Sequence, residues 1–141
     1  MKLSTRDADA FFKKPDPTRA GILVYGPDPM RVALKRQALL KNFLGESAEE
    51  EMRLTRLPAS ELTRDKAALS DALKAQGFFS GPRAVLVEEA TNSHTAIIEV
   101  ALSDWQAGDA MLVVTAGSLR PGSLRKYFEG ARNAGAAAIY D

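Results

Sequence analysis

The turn after the first apolar run of this chain lies where a nucleotide-binding protein would hold phosphate. Residues 21–25 read GILVY and lead into a Gly-Pro pair, which predicts a buried strand that ends in a turn. Counted from Gly26, the loop pattern G-x-x-x-x-G-K-[ST] needs Gly, Lys and Ser or Thr at positions 31–33. The chain has Arg31, Val32 and Ala33 there. The phosphate-reaching lysine and the magnesium-binding hydroxyl of that loop are therefore missing. The G-x-G-x-x-G fingerprint of dinucleotide-binding proteins is also absent at this turn.

Other chemically capable residues do not form a catalytic set. Glu88 and Glu89 follow the third apolar run, where nucleotide hydrolases keep carboxylates for magnesium, but without a phosphate site they indicate a solvated strand end. His94 is the sole histidine, and with no nucleophile motif or second metal-type ligand nearby it is predicted to be a surface residue. The chain has no cysteine, which excludes disulfides and thiol catalysis. We expect no catalytic residue, metal or cofactor.

Five β-type runs recur along the chain, and most are separated by helical patterns. Four of them are apolar throughout and predict strands that are covered on both faces, whereas residues 51–57 alternate and predict a half-exposed strand near an edge. In the first helical pattern, the apolar stripe is expected to be Met30, Ala33, Leu34, Leu40 and Leu44. Strands alternating with helices predict a doubly wound α/β fold with a five-stranded, mainly parallel sheet. Residues 1–141 read as a single domain.

Composition limits the classes of partner. Hydrophobic residues make up 45% and charged residues 26% of the chain, as in an ordinary globular protein, and the net charge of +1 disfavours a dedicated nucleic-acid binder. No apolar run is long enough to cross a bilayer, and residues 1–7 lack the apolar core of a signal peptide, so we expect a cytoplasmic protein with no membrane partner.

An aromatic pair interrupts the chain before the third strand. Residues 74–82 read KAQGFFSGP, so that Phe78 and Phe79 lie between Gly77 and Gly81 where a helix must end. Two adjacent aromatic side chains cannot both join one helical stripe or one strand face. At least one is a candidate for exposure, and an exposed aromatic at a surface corner often marks a binding anchor. Burial of both as an ordinary core corner is the alternative.

Three segments, in this order, resemble the N-terminal domain of the delta subunits of bacterial DNA polymerase III clamp loaders. They are GILVYGPDPM at 21–30, AQGFFSGPRAVLV at 75–87 and LRKYFE at 124–129. The resemblance implies an AAA+ domain of P-loop ATPase type that has lost ATP binding. It also implies a role in DNA replication: the subunit binds and opens the sliding clamp, and is no enzyme by itself but part of a DNA-directed DNA polymerase (nucleotidyltransferase) holoenzyme.

The same resemblance indicates which residues bind the clamp. The family presents two adjacent large apolar residues, typically Leu and Phe, from the end of the helix before the third strand. Those positions fall on Phe78 and Phe79, with Gln76 and Gly77 beside them, and Phe in place of Leu is a departure at the first position. Two C-terminal domains that contact the other loader subunits would follow. We therefore expect the chain to be an excised part of a longer protein, with weak or indirect DNA contact.

Two other functions stay open on the residues alone. One is a small α/β nucleotide- or phosphate-binding enzyme with a site around Arg31, Lys35, Glu88 and Glu89. The other is a DNA-contacting module that uses Arg31, Lys35, Arg36 and Lys41, which should show steeply salt-dependent binding. A solvated basic helix face is the simpler interpretation of these cations.

Overall fold

A computed structural model describes residues 1–46, 48, 51–75 and 81–140. The strands are β1 (Gly21–Tyr25), β2 (Leu54–Pro58), β3 (Ala84–Glu88), β4 (Met111–Ala116) and β5 (Ala134–Ala138). The helices are α1 (Thr5–Lys13), α2 (Pro29–Leu44), α3 (Ala59–Arg64), α4 (Ala68–Lys74), α5 (Thr95–Ser103) and α6 (Ser123–Gly130), with a 3₁₀ turn at Asn92–His94.

The five strands form one all-parallel sheet in the order β2-β3-β4-β1-β5. In the middle of the sheet, Leu23 of β1 pairs with Val114 of β4 on one side and Ala136 of β5 on the other. Helices cover both faces, so the predicted doubly wound α/β class is confirmed, and the topology is consistent with the P-loop type.

Alternate residues of each central strand point into two separate cores. Leu23, Val85 and Leu112 face a core closed by α3, α4, α5 and α6. Ile22 and Val113 face the other core, closed by α1 and α2. This two-sided burial is why the strands read as continuous apolar runs.

The α1–α2 layer differs from expectation. Helix α1 was not anticipated, although Ser4 caps it by accepting a hydrogen bond from the Asp7 amide at 3.1 Å. In α2, Met30 and Leu34 are 67% and 56% exposed, so their predicted burial is wrong. The side that packs on the sheet carries the predicted Leu40 and Leu44 together with Val32 and Leu39.

Parallel strands place all their carboxyl ends at one edge of the sheet and all their amino ends at the other. The turns after β1, β3 and β4 therefore meet at the carboxyl edge, where α/β proteins of this kind bind ligands. The segments that lead into β2, β3 and β4 lie at the amino edge, and they include Ala75 and residues 81–83. The described flanks of the predicted aromatic pair thus lie at the edge opposite to the turn after β1.

Candidate functional site

At the carboxyl edge, a carboxylate of this chain occupies the start of α2. Asp28 accepts hydrogen bonds from the amides of Met30 at 2.9 Å and Arg31 at 3.4 Å, and Pro29 contributes no amide at all. Free amides and the positive end of the helix dipole are what attract phosphate to such a position. Here they are satisfied by Asp28, whose negative charge would also repel an incoming phosphate.

The turn itself is filled from the other side by the segment after β5. The amide of Ile139 donates to the carbonyl of Tyr25 at 2.8 Å. A Cβ atom placed on Gly26 would lie only 2.0 Å from the carbonyl oxygen of Ile139. Glycine is therefore required at position 26 because the backbone of Ile139 packs so closely against it. This packing accounts for the glycine, and no role in phosphate binding is needed to explain it.

A cleft of about 250 Å³ remains at this edge, between α2 and the ends of β3 and β4. Glu88 lines the cleft with its Oε2 atom 3.8 Å from Arg36 Nη1, and its Oε1 atom lies 3.9 Å from Arg56 Nη1. Glu89 is exposed and has a φ of +63°. Within the described ranges, no cluster of three or more acidic or histidine side chains could hold a metal ion. Glu88 is thus balanced by arginines at the position where a hydrolase would hold magnesium.

His94 is buried at 8% exposure, so its prediction as a surface residue is wrong. Its Nδ1 atom accepts a hydrogen bond from the amide of Thr91 at 3.0 Å and closes a capping box at the 3₁₀ turn. The accepting Nδ1 carries no proton in this arrangement. The residue therefore has a structural role at the start of a helix.

The cations proposed for a DNA contact have acidic neighbours. Arg31 lies 3.7 Å from Asp28, and Lys35 lies 3.5 Å from Asp9. Arg36 is the residue that pairs with Glu88. Lys41 is exposed further along α2. These pairs divide the expected basic face into locally neutral parts, which weakens the argument for a DNA-contacting module.

The residues predicted to bind the clamp are Gln76, Gly77, Phe78 and Phe79. All of them lie outside the described residues, so their exposure stays a prediction. The structure does describe the chain on both sides, up to Ala75 and again from Gly81. We call the stretch between these two residues the aromatic segment, residues 76–80.

Arg83 connects the chain before the aromatic segment to a neighbouring loop. Its guanidinium donates through Nη1 to the carbonyl of Ala75 and through Nη2 to the carbonyl of Gly108 at 2.8 Å. The carbonyl of Arg83 in turn accepts from the amide of Met111 at 2.9 Å, at the start of β4. The residue before the aromatic segment is thereby tied to the residue that leads into β3.

Arg53 holds the other end of the aromatic segment. Its Nη1 atom donates to the carbonyl of Pro82 at 2.9 Å, and its Nε atom donates to the carboxylate of Glu51 at 2.7 Å. The side chain is 8% exposed. It lies against Gly81, since a Cβ atom placed there would be 3.7 Å from Arg53 Nη1. With a φ of +120°, position 81 requires glycine.

A third cation fixes the end of α4. Lys74 donates to the Asp109 carboxylate at 2.8 Å and to the Asp104 carbonyl at 2.9 Å. The hydrogen bond to Asp109 raises the pKa of Lys74. Burial alone would raise the pKa of Asp109, but hydrogen bonds from Lys74 and the Gln106 amide, with the positive charges of Lys74 and Arg83, lower it. Both shifts favour the charged forms.

Sequence reasoning identified the aromatic segment but missed the three cations that anchor its flanks. Arg53 and Arg83 each precede a strand, at positions 53 and 83, and looked like ordinary polar residues. Their partners lie 29, 8 and 25 residues away along the chain. No local pattern signals such contacts, because the topology of the sheet brings these loops together.

Comparison with protein-family models and with curated proteins gave no match. The fold defines the class of the protein: it is a doubly wound α/β domain whose topology is consistent with the P-loop type, and its own Asp28 accepts from the first amides of α2. Within the described ranges, no helix combines the length and the apolar character needed to span a membrane.

Proposed function

We propose that this chain is the clamp-binding domain of a bacterial clamp-loader delta subunit, and that it binds and opens the sliding clamp through Phe78 and Phe79 without ATP chemistry of its own. Two further domains of such a protein would join it to the other loader subunits, and any contact with DNA would be indirect. The resemblance of the three sequence segments points to this partner. The structure supports the proposal through the contrast between its two edges.

The observation that carries the proposal is the anchoring of both flanks of the aromatic segment. Arg83 holds the carbonyl of Ala75, and Arg53 holds the carbonyl of Pro82. The described residues on both sides of the aromatic segment are thus hydrogen-bonded to arginine side chains. Fixing the base of a binding segment before association lowers the entropy lost on binding. Such anchoring suits a segment that inserts side chains into a pocket of a partner.

The carboxyl edge supports the part of the proposal that assigns no ATP chemistry to this domain. Asp28 takes the amides that a phosphate would need, and Arg36 lies beside Glu88. The cleft at this edge is the feature that favours the alternative of a nucleotide- or phosphate-binding enzyme. Its lining has an acidic side chain paired with a basic one and no free helix amides, so it offers little to an anionic ligand.

In mechanism, the domain acts by differential binding. If Phe78 and Phe79 enter an apolar pocket of the clamp, burial of both side chains contributes about 3 to 6 kcal/mol before the costs of association are set against it. A domain that binds the opened clamp more tightly than the closed one shifts the clamp toward opening. We expect micromolar affinity for this domain by itself.

The test is the double substitution Phe78→Ala with Phe79→Ala. If the pair binds the clamp, affinity for a bacterial sliding clamp should fall about a hundredfold or more, as for a buried aromatic hot spot. The melting temperature should stay within a few degrees, as for surface changes. If both rings instead supported the core, each substitution would cost on the order of 3 to 5 kcal/mol and the domain would largely unfold.

A matched control removes exposed apolar surface elsewhere. Met30→Ala with Leu34→Ala truncates two large side chains on α2 that are 67% and 56% exposed. This control should bind the clamp as the parent does. A double Phe variant that unfolds, or one that binds like the parent, would contradict the proposal.

A further inference from the structure

The first three residues of the chain lie along the outer edge of β5. The amide of Leu3 donates to the carbonyl of Ala136 at 2.9 Å, and the amide of Ala136 donates to the carbonyl of Met1 at 2.9 Å. Lys2 forms the parallel bridge to Ala136 between these two bonds. Because β5 is the last strand in the sheet order, residues 1–3, which we call the N-terminal strap, pair a strand edge that would otherwise be open.

The N-terminal strap is too short to be held by main-chain pairing alone. Ordering three residues costs conformational entropy, and two backbone hydrogen bonds recover only part of that cost. The partly buried side chain of Leu3 adds a contact with the core closed by α1 and α2. The charged attachment is the α-ammonium of Met1, which donates to three main-chain carbonyls: those of Phe128 at 2.7 Å, Ala131 at 3.1 Å and Ala134 at 2.7 Å. An ammonium has three N–H donors, so each of them has an acceptor here.

The three carbonyls form an acceptor site where a positive charge is favourable. Phe128 belongs to the last turn of α6, whose carbonyls lack partners within the helix. The carboxyl end of a helix also attracts positive charge through the helix dipole. Ala131 follows this helix, and Ala134 is the first residue of β5. The Met1 ammonium therefore connects the end of α6 to the start of β5 and anchors the strap at that junction.

The charged side chains around the Met1 ammonium do not replace these carbonyls. Arg19 lies beside it and donates through Nη1 to the carbonyl of Ala134 at 3.4 Å. The carboxylate of Glu129 pairs with Arg125 at 3.4 Å. Burial lowers the pKa of the Met1 amine, the positive charge of Arg19 lowers it further, and the negative charge of Glu129 opposes both. The amine is thus held by hydrogen-bond geometry, which a blocked amine cannot reproduce.

We infer that the free α-amine of Met1 is a latch: while it is unblocked, the N-terminal strap covers the outer edge of β5, and acylation of the amine releases the strap. Acylation by a thioester donor forms an N–C bond, breaks the acyl–sulfur bond and releases the thiol and one further proton. The ammonium becomes an uncharged amide with one N–H donor, so two of the three hydrogen bonds are lost. A residue added before Met1 leaves the same single N–H and moves the charge about 3.5 Å along the chain. The latch belongs to the fold and needs no clamp.

The main experiment compares two ways of removing one positive charge from the strap. In one, the chain is acetylated at its α-amine by an N-terminal acetyltransferase. In the other, Lys2→Gln removes an exposed charge from the neighbouring residue and leaves the amine free. Acetylation should lower the melting temperature by at least about 5 °C, and Lys2→Gln by less than about 2 °C. A smaller shift on acetylation, or an equal shift for both forms, overturns the inference.

Hydrogen exchange at two amides shows whether the strap is the part released. The amide of Ala136 donates to the strap, whereas the amide of Ile139 donates to the carbonyl of Tyr25 at 2.8 Å, on the β1 side. In the acetylated chain, and in a chain with one glycine added before Met1, exchange at Ala136 should become at least about tenfold faster while exchange at Ile139 is unchanged. Unchanged exchange at Ala136, or an equal rise at both amides, overturns the inference.

A third measurement uses the unaltered chain and does not depend on the folding of a modified one. With ¹⁵N-labelled methionine and lysine, the hydrogen-bonded protons of the Met1 ammonium should give a resonance separate from water. The exposed ammonium of Lys2 serves as the reference for fast exchange with water. A Met1 ammonium whose protons exchange with water as fast as those of Lys2 overturns the inference.

Discussion

Replacement of Arg53 by alanine tests whether the base of the aromatic segment is as firmly held as the structure indicates. The side chain is 8% exposed, and it donates to the carbonyl of Pro82 at 2.9 Å and to the carboxylate of Glu51 at 2.7 Å. Arg53→Ala removes both donors together. It leaves the carbonyl of Pro82 and the carboxylate of Glu51 without this partner.

The expected cost follows from these two bonds. A hydrogen bond that involves a charged group contributes about 1.5 to 3 kcal/mol, and Glu51 is partly exposed and can regain water. We therefore expect Arg53→Ala to lower the free energy of unfolding by about 2 to 3 kcal/mol, a shift of roughly 6 to 12 °C in melting temperature for a chain of this size. Arg53→Lys keeps the charge but lacks the planar fork, so it should recover less than half of this loss.

Urea unfolding followed by circular dichroism measures the loss, and clamp titration of the folded variant measures its effect on function. If Arg53 positions the aromatic segment, affinity for the clamp should fall in the folded variant although Phe78 and Phe79 are intact. A loss of stability below about 0.5 kcal/mol, the range of ordinary surface substitutions, would refute the anchoring argument.

Two further predictions concern charge. Because the pKa of Asp109 is lowered in the folded state, the stabilisation from its pair with Lys74 is present above the unfolded value of about 3.9 and is lost as the pH falls through the folded value. The difference in melting temperature between the parent and Asp109→Asn should therefore be largest near neutral pH and should shrink below about pH 4; a difference that is independent of pH contradicts this. Calorimetric titration with Mg-ATP should give no dissociation constant below about 100 micromolar, roughly 5.5 kcal/mol of binding, because Asp28 occupies the helix amides. Tighter binding would revive the nucleotide-binding alternative.

The fold could be predicted from sequence because its strongest signals are local. Four strands are buried on both faces and read as apolar runs, and the half-exposed pattern of β2 at the sheet edge is confirmed. The last strand, Ala134–Ala138, is a run of small residues that gives no sharp boundary in the sequence. Elements whose burial depends on a neighbouring helix were harder to predict.

The errors in the α1–α2 layer have such a cause. Met30 and Leu34 fit a helical stripe, but the sheet contacts the side of α2 that carries Val32 and Leu39. Spacing shows that a stripe exists and does not choose between two overlapping stripes. His94 was misjudged for a similar reason, because capping by its ring needs a turn that periodicity does not reveal.

The two edges of the sheet use charge in different ways, and this difference is the structural support for the proposed docking function. At the carboxyl edge, Asp28 satisfies helix amides and Arg36 lies beside Glu88, so charges that would engage a ligand engage each other. At the amino edge, Arg53 donates to the carbonyl of Pro82 and Arg83 donates to the carbonyl of Ala75, on either side of residues 76–80. An active site needs unsatisfied groups aimed at its substrate, whereas a docking segment needs a rigid base. The hydrogen bonds to the carbonyls of Ala75 and Pro82 are the reason why we propose a docking function.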